Sequence, residues 1–177
     1  LDTHDVYTIS STIAAGGKLV IPADSTPELP GGAQYSLVVE SDQSVESVVT
    51  MHRSVPQGDE LASYRGVSSG SDELHFGPFH KNWAADTTLV NSALVVWNVG
   101  ESTANCYVDF LALDGAMVTT AYRSLGPQQQ MSLVSLSEDE LPDGFRGWVR
   151  VSADQPIVAL LNHFDTSGEV FQVHEPL

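Results

Sequence analysis

The most concentrated set of potential ligands in this sequence is an acidic turn. Glu138, Asp139 and Glu140 are consecutive, and Asp143 follows three residues later. Carboxylate oxygens are the ligands that Ca²⁺ prefers, but the order of these residues is not that of an EF-hand loop. We favour a solvated turn between two strands, with a calcium site as the alternative, and we expect no other cofactor.

Two other patterns resemble motifs of catalysis or metal binding. Residues 66–70 have the form Gly-x-Ser-x-Gly, which marks a nucleophile only at the strand-to-helix turn of a parallel α/β sheet. Here the motif lies in a polar stretch between β-strand patterns, so we expect a linker. His75 and His80 have no other zinc ligand at a characteristic offset, which favours a structural role. No catalytic constellation is found, and the chain is predicted not to be an enzyme.

Aromatic side chains offer a third kind of site, because their large rings can pack in a core or stack on a ligand. Trp97 and Trp148 alternate opposite to their apolar neighbours, so we expect one of them to point outward. Core or interface packing is the favoured role, and stacking on a sugar is the alternative. The residues concerned are Trp83, Trp97, Trp148, Tyr35, Tyr64, Tyr107 and Tyr122.

The charge balance restricts the partners. The chain has 23 acidic and 7 basic side chains, which give a net charge of −16. A phosphate backbone or an anionic membrane surface would be repelled by this charge, so neither is an expected partner. No apolar run approaches the roughly 20 residues of a membrane helix, and membrane insertion is not expected.

Short alternating segments separated by turn residues predict an all-β protein built from an antiparallel sandwich. The single cysteine, Cys106, lies in the apolar phase of one segment, where a buried and inert thiol is expected. The predicted strands lie near 5–12, 17–22, 34–40, 44–52, 73–79, 89–98, 104–113, 116–123, 130–136, 147–152, 156–163 and 169–174.

The sequence also repeats itself. Residues 1–52 align without a gap on residues 113–164, an offset of 112 positions, and 12 of the aligned positions are identical. The apolar residues keep the same phase, as Ile21 on Leu133 and Leu37 on Val149 show. A period of this length is typical of tandem whole domains.

We therefore expect tandem β-sandwich domains of the immunoglobulin-like type, the first incomplete at its N-terminus. Residues 1–52 correspond to the last four strands of the repeat, 53–72 form a connector, and 73–177 form a complete sandwich with a C-terminal tail strand. The three strands absent from the first copy correspond to the segment from Glu73 to Leu113.

A half-sandwich leaves an apolar sheet face to be covered, because each buried aliphatic side chain contributes about 1.5–3 kcal/mol. The inward positions of the first copy are Val6, Ile13, Leu19, Ile21, Leu37, Val39, Val45 and Val49. Strand addition to an open sheet is one way to cover them. The predicted assembly surface comprises Leu1, Val6, Val170, Phe171 and Val173.

Residues 93–165 resemble a β-sandwich repeat that is common in secreted and cell-surface bacterial proteins. The motifs are Trp97-Asn98-Val99-Gly100, Glu140-Leu141-Pro142, Phe145-Arg146-Gly147 and the closing segment from Val151 to Val158. The resemblance implies an extracellular or cell-surface structural module, and the family supplies no catalytic residues.

These observations predict a non-enzymatic structural protein of the bacterial surface. We expect it to polymerise into a filament, sheath or surface layer by strand or sheet complementation. Its partners would be copies of itself, an upstream fragment or a neighbouring surface protein. The alternative is a glycan-binding accessory module of a larger secreted protein.

Overall fold

β-Strand is the dominant regular structure of the described residues. A computed structural model describes residues 7–27, 29, 37–55, 58–85, 88–165 and 171–177. In these ranges the regular structure is antiparallel β-strand, apart from two single-turn 3₁₀-helices, Ala23–Ser25 and Ser135–Ser137. The predicted all-β, antiparallel class is confirmed, whereas the sandwich and its tandem repetition stay predictions. No helix in the described ranges is long and apolar enough to cross a membrane.

The described residues contain ten strands, which form two sheets. A two-stranded hairpin pairs β1 with β2, and an eight-stranded antiparallel sheet contains the other strands. The strands are β1 (Val48–Val55), β2 (Gly58–Arg65), β3 (Ser71–Lys81), β4 (Trp83–Ala85), β5 (Thr88–Asn98), β6 (Ala104–Ala112), β7 (Met117–Leu125), β8 (Gln130–Val134), β9 (Phe145–Asp165) and β10 (Phe171–His174).

The large sheet is organised by β9, which is 21 residues long. Its first half pairs with β6 on one side and β3 on the other, while its second half pairs with β5 and β10. Outside these, β7 pairs with β6, and both β4 and β8 pair with β5. The sheet curls, so that alternate residues of both halves of β9 point into one core.

That core is apolar and closely packed. Its fully buried side chains come mainly from β3, β5, β6 and β9, as the alternation of apolar residues along these strands predicts. Cys106 lies among them, as expected, and burial raises the pKa of its thiol to about 11, assisted by the charge of Asp154. The largest members are Phe76, Phe79, Phe110, Leu94, Leu133, Leu141, Ile157 and Leu161.

Most strands of the second copy lie where the sequence predicts them. The strands expected at 147–152 and 156–163 are the two halves of β9. Pairing with β6 ends at Ala153 and pairing with β5 begins at Ile157, so the division falls at Pro156, which lacks an N–H. The carbonyl of Pro156 accepts a hydrogen bond from Val99 N at 3.0 Å. Sequence patterns do not predict β4, which has only three residues.

The segment predicted as a connector, 53–72, differs from expectation. It contains the end of β1 and all of β2, which pair over eight residues from Val48↔Arg65 to Val55↔Gly58. Its strands lack the apolar alternation of a half-buried sheet, so the pattern gives no signal for them. Only residues 66–70 of this segment join one sheet to the next.

The first copy also differs from expectation. The sequence predicts strands near 5–12, 17–22 and 34–40, but the described residues between 7 and 47 form none. A strand requires a neighbouring backbone to hydrogen-bond with, and these residues take part in neither of the two sheets. The fourth predicted strand, 44–52, overlaps the beginning of β1.

Local turns of the first copy nevertheless recur at the repeat offset. The chain divides into two units, residues 1–38 and 39–177, and each contains the same short-range features. The 3₁₀-helix Ala23–Ser25 recurs as Ser135–Ser137, and the positive φ of Gly16 (71°) recurs at Gln128 (59°). Two backbone hydrogen bonds recur as well. The bond from Gly17 N to Ala14 O (2.8 Å) corresponds to Gln129 N to Gly126 O (3.1 Å), and the bond from Leu29 N to Thr26 O corresponds to Leu141 N to Glu138 O (both 3.0 Å).

One buried lysine ties β3 to the acidic turn. Lys81 is 7% exposed, and its Nζ donates hydrogen bonds of 2.8 Å to the carbonyl oxygens of Glu138 and Leu141. These bonds satisfy the backbone of the turn that inserts Leu141 into the core. A buried carbonyl without a donor would be costly.

Replacing Lys81 by Met is expected to lower the free energy of unfolding by about 2–4 kcal/mol, because it removes charged hydrogen bonds to two carbonyls. The control is Lys18→Met, which changes the only other lysine, an exposed one. Urea unfolding followed by tryptophan fluorescence measures both. Equal effects of the two variants would contradict the stabilising role of Lys81.

Candidate functional site

The four acidic residues of the turn have different surroundings, and calcium binding there stays a prediction. Glu140 accepts a hydrogen bond from the Thr119 hydroxyl, and Asp143 accepts one from Asn82 Nδ2 at 2.9 Å. The backbone of Glu138 binds Lys81, while Asp139 is exposed. Across the described residues, no three His, Cys, Asp or Glu side chains are arranged to hold a metal ion. The turn borders a cavity of about 240 Å³ beside β7.

The predicted assembly residues lie at the two ends of the chain. Leu1, Val6 and Val170 fall outside the described residues. Phe171 and Val173 belong to β10, whose backbone pairs with Phe164 and Asn162 of β9. The tail strand is therefore part of its own sheet in this structure, and its role in assembly stays a prediction.

The other sequence motifs are separated from one another. The Gly-x-Ser-x-Gly segment at 66–70 joins β2 to β3 and is not at a strand-to-helix turn. His75 is exposed and lies 2.9 Å from the Glu73 carboxylate, whereas His80 is buried. The two histidines thus have different surroundings and different partners.

A cluster of three histidines is the most unusual buried group, and the sequence pattern does not reveal it. His80 lies at the end of β3, His163 on β9 and His174 on β10. The ring centroids of His80 and His163 are 4.8 Å apart, and those of His163 and His174 are 4.5 Å apart. Trp83 stacks on the outer side of His80 at 4.8 Å, and the Arg146 guanidinium lies 4.8 Å from the Trp83 ring.

Several nitrogens of this histidine cluster are buried without a partner. Within the described residues, both ring nitrogens of His80 and the Nε2 of His174 make no hydrogen bond. His163 Nε2 lies 2.7 Å from the Pro78 carbonyl oxygen, which can only accept, so this nitrogen carries the proton. A buried polar atom without a partner is unfavourable, and a buried charge would be more so.

The surroundings of this cluster favour the neutral form of His80 and His163. Burial, followed by charge repulsion from protonated His163, from Arg146 and from protonated His174, lowers the pKa of His80 to about 4. Burial also lowers the pKa of His163, although its hydrogen bond to Pro78 opposes this effect. The lowered pKa values of His80 and His163 make this cluster a pH-sensitive group.

Comparisons with known proteins bear on the fold alone. No protein-family model matches the sequence, and no curated protein matches it. A crystal structure of Thermotoga maritima 1070 is similar, with a TM-score of 0.50 and 17% identity over 61% of this chain and 94% of that chain. The Anabaena sensory rhodopsin transducer gives a TM-score of 0.44 and 11% identity over 53% of this chain and 97% of that chain.

The histidine cluster predicts that acid destabilises the protein. Because the folded pKa of His80 lies below the ordinary value of 6.5, the unfolded chain binds the additional proton. Stability is therefore complete above that value and is lost as the pH falls towards 4, by roughly 3 kcal/mol for this one group. The free energy of unfolding at about pH 7.5 and about pH 4.5 measures the loss.

His80→Phe isolates this effect from the titration of the many carboxylates. The variant keeps a ring against Trp83 but cannot bind a proton, so its pH dependence should be smaller than that of the unaltered protein. His75→Phe, at an exposed site, should leave the dependence unchanged. Identical pH dependence in all three proteins would exclude His80 as the sensitive group.

Proposed function

We propose that this protein is a non-enzymatic structural module that associates with copies of itself through the apolar side chains of its first repeat. The resemblance to repeats of secreted bacterial proteins supports a place at the cell surface, in a filament, sheath or surface layer. The two copies of the repeat differ in how far they bury their apolar side chains, and this difference supports self-association.

Five positions of the repeat are apolar in both copies. In the second copy the side chains are at most 5% exposed, whereas their counterparts in the first copy are 38–59% exposed. We call the exposed members the open apolar set. The pairs are Ile13 and Leu125, Ile21 and Leu133, Leu37 and Val149, Val39 and Val151, and Val45 and Ile157.

Neighbouring positions show that this difference is specific to the core phase of the repeat. Val20 and Val38 are also exposed, but their counterparts are the exposed Ser132 and the partly exposed Arg150. Within the first copy, the exposed apolar residues therefore fall into two groups. Only the group whose counterparts are buried in the second copy is expected to need a covering surface.

The energy available from covering the open apolar set is large. Five aliphatic side chains at about 1.5–3 kcal/mol each give on the order of 10 kcal/mol, which is comparable to the net stability of a domain. In the second copy the counterparts lie in one buried core cluster with Phe76, Phe79, Leu94, Val96 and Val108 from strands β3, β5 and β6.

We infer that the covering partner is a second copy of this chain. Two half-sandwiches of the same sequence can pack their apolar sides together about a twofold axis, since such an interface is self-complementary. The recurrence of the local turns at residues 14–17 and 22–25 means that these parts of the first copy already have the bends of the repeat. Pairing with another chain would supply the neighbouring strands that it lacks.

Polar substitutions in the open apolar set test this proposal. The new residues are Ser and Arg, which occupy the outward-facing positions 132 and 150 of the second copy. The double variant Ile21→Ser, Val39→Arg should weaken association at least about 100-fold, because it places polar groups in the open apolar set. The matched control Val20→Ser, Val38→Arg makes the same chemical changes one position away and should associate normally. Sedimentation velocity over a wide range of protein concentrations measures both.

Two results would overturn the proposal. One is a monomer at every concentration of the unaltered protein. The other is equal weakening by the two double variants, which would indicate association through general hydrophobicity and not through the core phase of the repeat.

Association should also strengthen with salt. Each chain carries a net charge of −16, so two copies repel each other at low ionic strength. Raising the salt concentration from about 0.02 M to about 0.5 M shortens the Debye length and should lower the dissociation constant. The same sedimentation experiment detects the change, and weaker association at high salt would point to an interface held by charge pairs.

A further inference from the structure

Three aromatic rings project from the outer surface of the first half of the large sheet. Tyr107 on β6, Tyr122 on β7 and Trp148 on β9 are 47%, 48% and 41% exposed. They alternate with core residues along their strands and so point away from the core. We call the surface formed by β7, β6, β9 and β3 on this side the outer face.

The two tyrosines form a fixed pair at one end of the outer face. Tyr107 and Tyr122 are directly opposite on neighbouring strands, with ring centroids 5.2 Å apart. The Tyr122 hydroxyl donates to Asn105 Oδ1 at 2.7 Å. Asn105 in turn donates to both carboxylate oxygens of Asp154, at 2.7 Å from its backbone N and 2.6 Å from Nδ2. The tyrosine is thus held in place without a bound ligand.

Trp148 is positioned by a glycine. A Cβ atom added to Gly77 would lie 2.1 Å from Cε3 of Trp148, so the six-membered ring lies directly over the β3 backbone. No other residue type fits beneath this ring. One side of the indole rests on the sheet, and its exposure leaves the other side to solvent.

Polar groups occupy the space between the tyrosine pair and the tryptophan. Arg150 donates to Asp109 Oδ2 from Nε at 3.0 Å and from Nη2 at 2.5 Å, and the Thr120 hydroxyl donates to Asp109 Oδ1 at 2.7 Å. Asp109 is buried, but the Arg150 side chain is 40% exposed. Its remaining N–H groups are therefore accessible to hydroxyl acceptors.

The strand register gives the spacing of these groups. Tyr107 is opposite Ser152 on β9, and Trp148 is opposite Leu111. Four residues along the strand separate the two aromatic positions, which corresponds to about 14 Å. Several consecutive sugar rings would bridge this distance.

We propose that the outer face binds an extended, neutral polysaccharide chain. Sugar rings stack on the tyrosine pair and on Trp148, and their hydroxyl groups hydrogen-bond with Arg150 and Thr120 in between. The net charge of −16 disfavours anionic polysaccharides and nucleic acids. A protein partner would favour a continuous apolar patch, whereas these rings are separated by polar groups.

This binding is independent of the proposed self-association, because none of the outer-face residues belongs to the open apolar set. A protein that associates through its first repeat and binds a polysaccharide through its second would be attached to the material around it. Each property can be removed by substitution while the other is retained.

Affinity electrophoresis of the whole chain tests the proposal, using gels that contain hydroxyethyl cellulose, xylan, galactomannan or soluble starch, with polygalacturonate as the anionic comparison. We expect retardation by at least one neutral extended polysaccharide and none by polygalacturonate. Trp148→Ala and Tyr107→Ala should each weaken binding about tenfold. Trp148→Phe should restore part of it, which shows that the alanine variant has not simply unfolded.

Tyr7→Ala is the control, since Tyr7 is an exposed tyrosine outside the outer face and should bind normally. The Ile21→Ser, Val39→Arg variant should also bind normally. Absence of retardation by all four neutral polysaccharides, or equal weakening by Tyr7→Ala and Trp148→Ala, would overturn the proposal.

Discussion

The structure depends on one strand that is shared by both halves of the large sheet. β9 is paired on both sides along its first half and, through β5 and β10, along residues 161–164 of its second half. Its inward residues, among them Val149 and Leu161, help to fill the core. The same strand supplies Trp148 and Arg150 to the outer face and His163 to the histidine cluster. The register of β9 with its neighbours therefore determines which of its side chains lie in the core, on the outer face and in the histidine cluster. A shift of one residue would exchange the inward-pointing and outward-pointing side chains of β9.

The sequence predicts the parts of this fold that rest on alternation. Apolar residues at every second position locate β3, β5, β6, β7 and β8. The expectation that one of Trp97 and Trp148 points outward is confirmed by Trp148, which is exposed. The histidine cluster is not predictable in this way, because His80, His163 and His174 are distant in sequence and meet only through the pairing of three strands. Strand β2, and with it the hairpin, is missed for another reason, since its residues carry no apolar period.

The two copies of the repeat separate local from long-range determinants of structure. Turns that depend on residues three apart are present in both copies, as the bonds Leu29 N to Thr26 O and Leu141 N to Glu138 O show. Strands depend on a partner that is remote in sequence, and the described residues of the first copy before Val48 have none. Similar residues are consequently buried in one copy and exposed in the other, as Val39 and Val151 are. The difference lies in their surroundings and not in the side chains themselves.

The position of β9 near the end of the described chain has a consequence for the order of events during synthesis. β3 pairs with β9 from Ser71↔Ile157 to Lys81↔Phe145, so the ribosome must add many residues before the partner of β3 exists. Until then β3, β5 and β6 have no shared neighbour, and their apolar residues cannot be enclosed. Long-range pairing of this kind makes folding slow. The nascent chain would have to keep these strands apart, or bound to a chaperone, until β9 emerges.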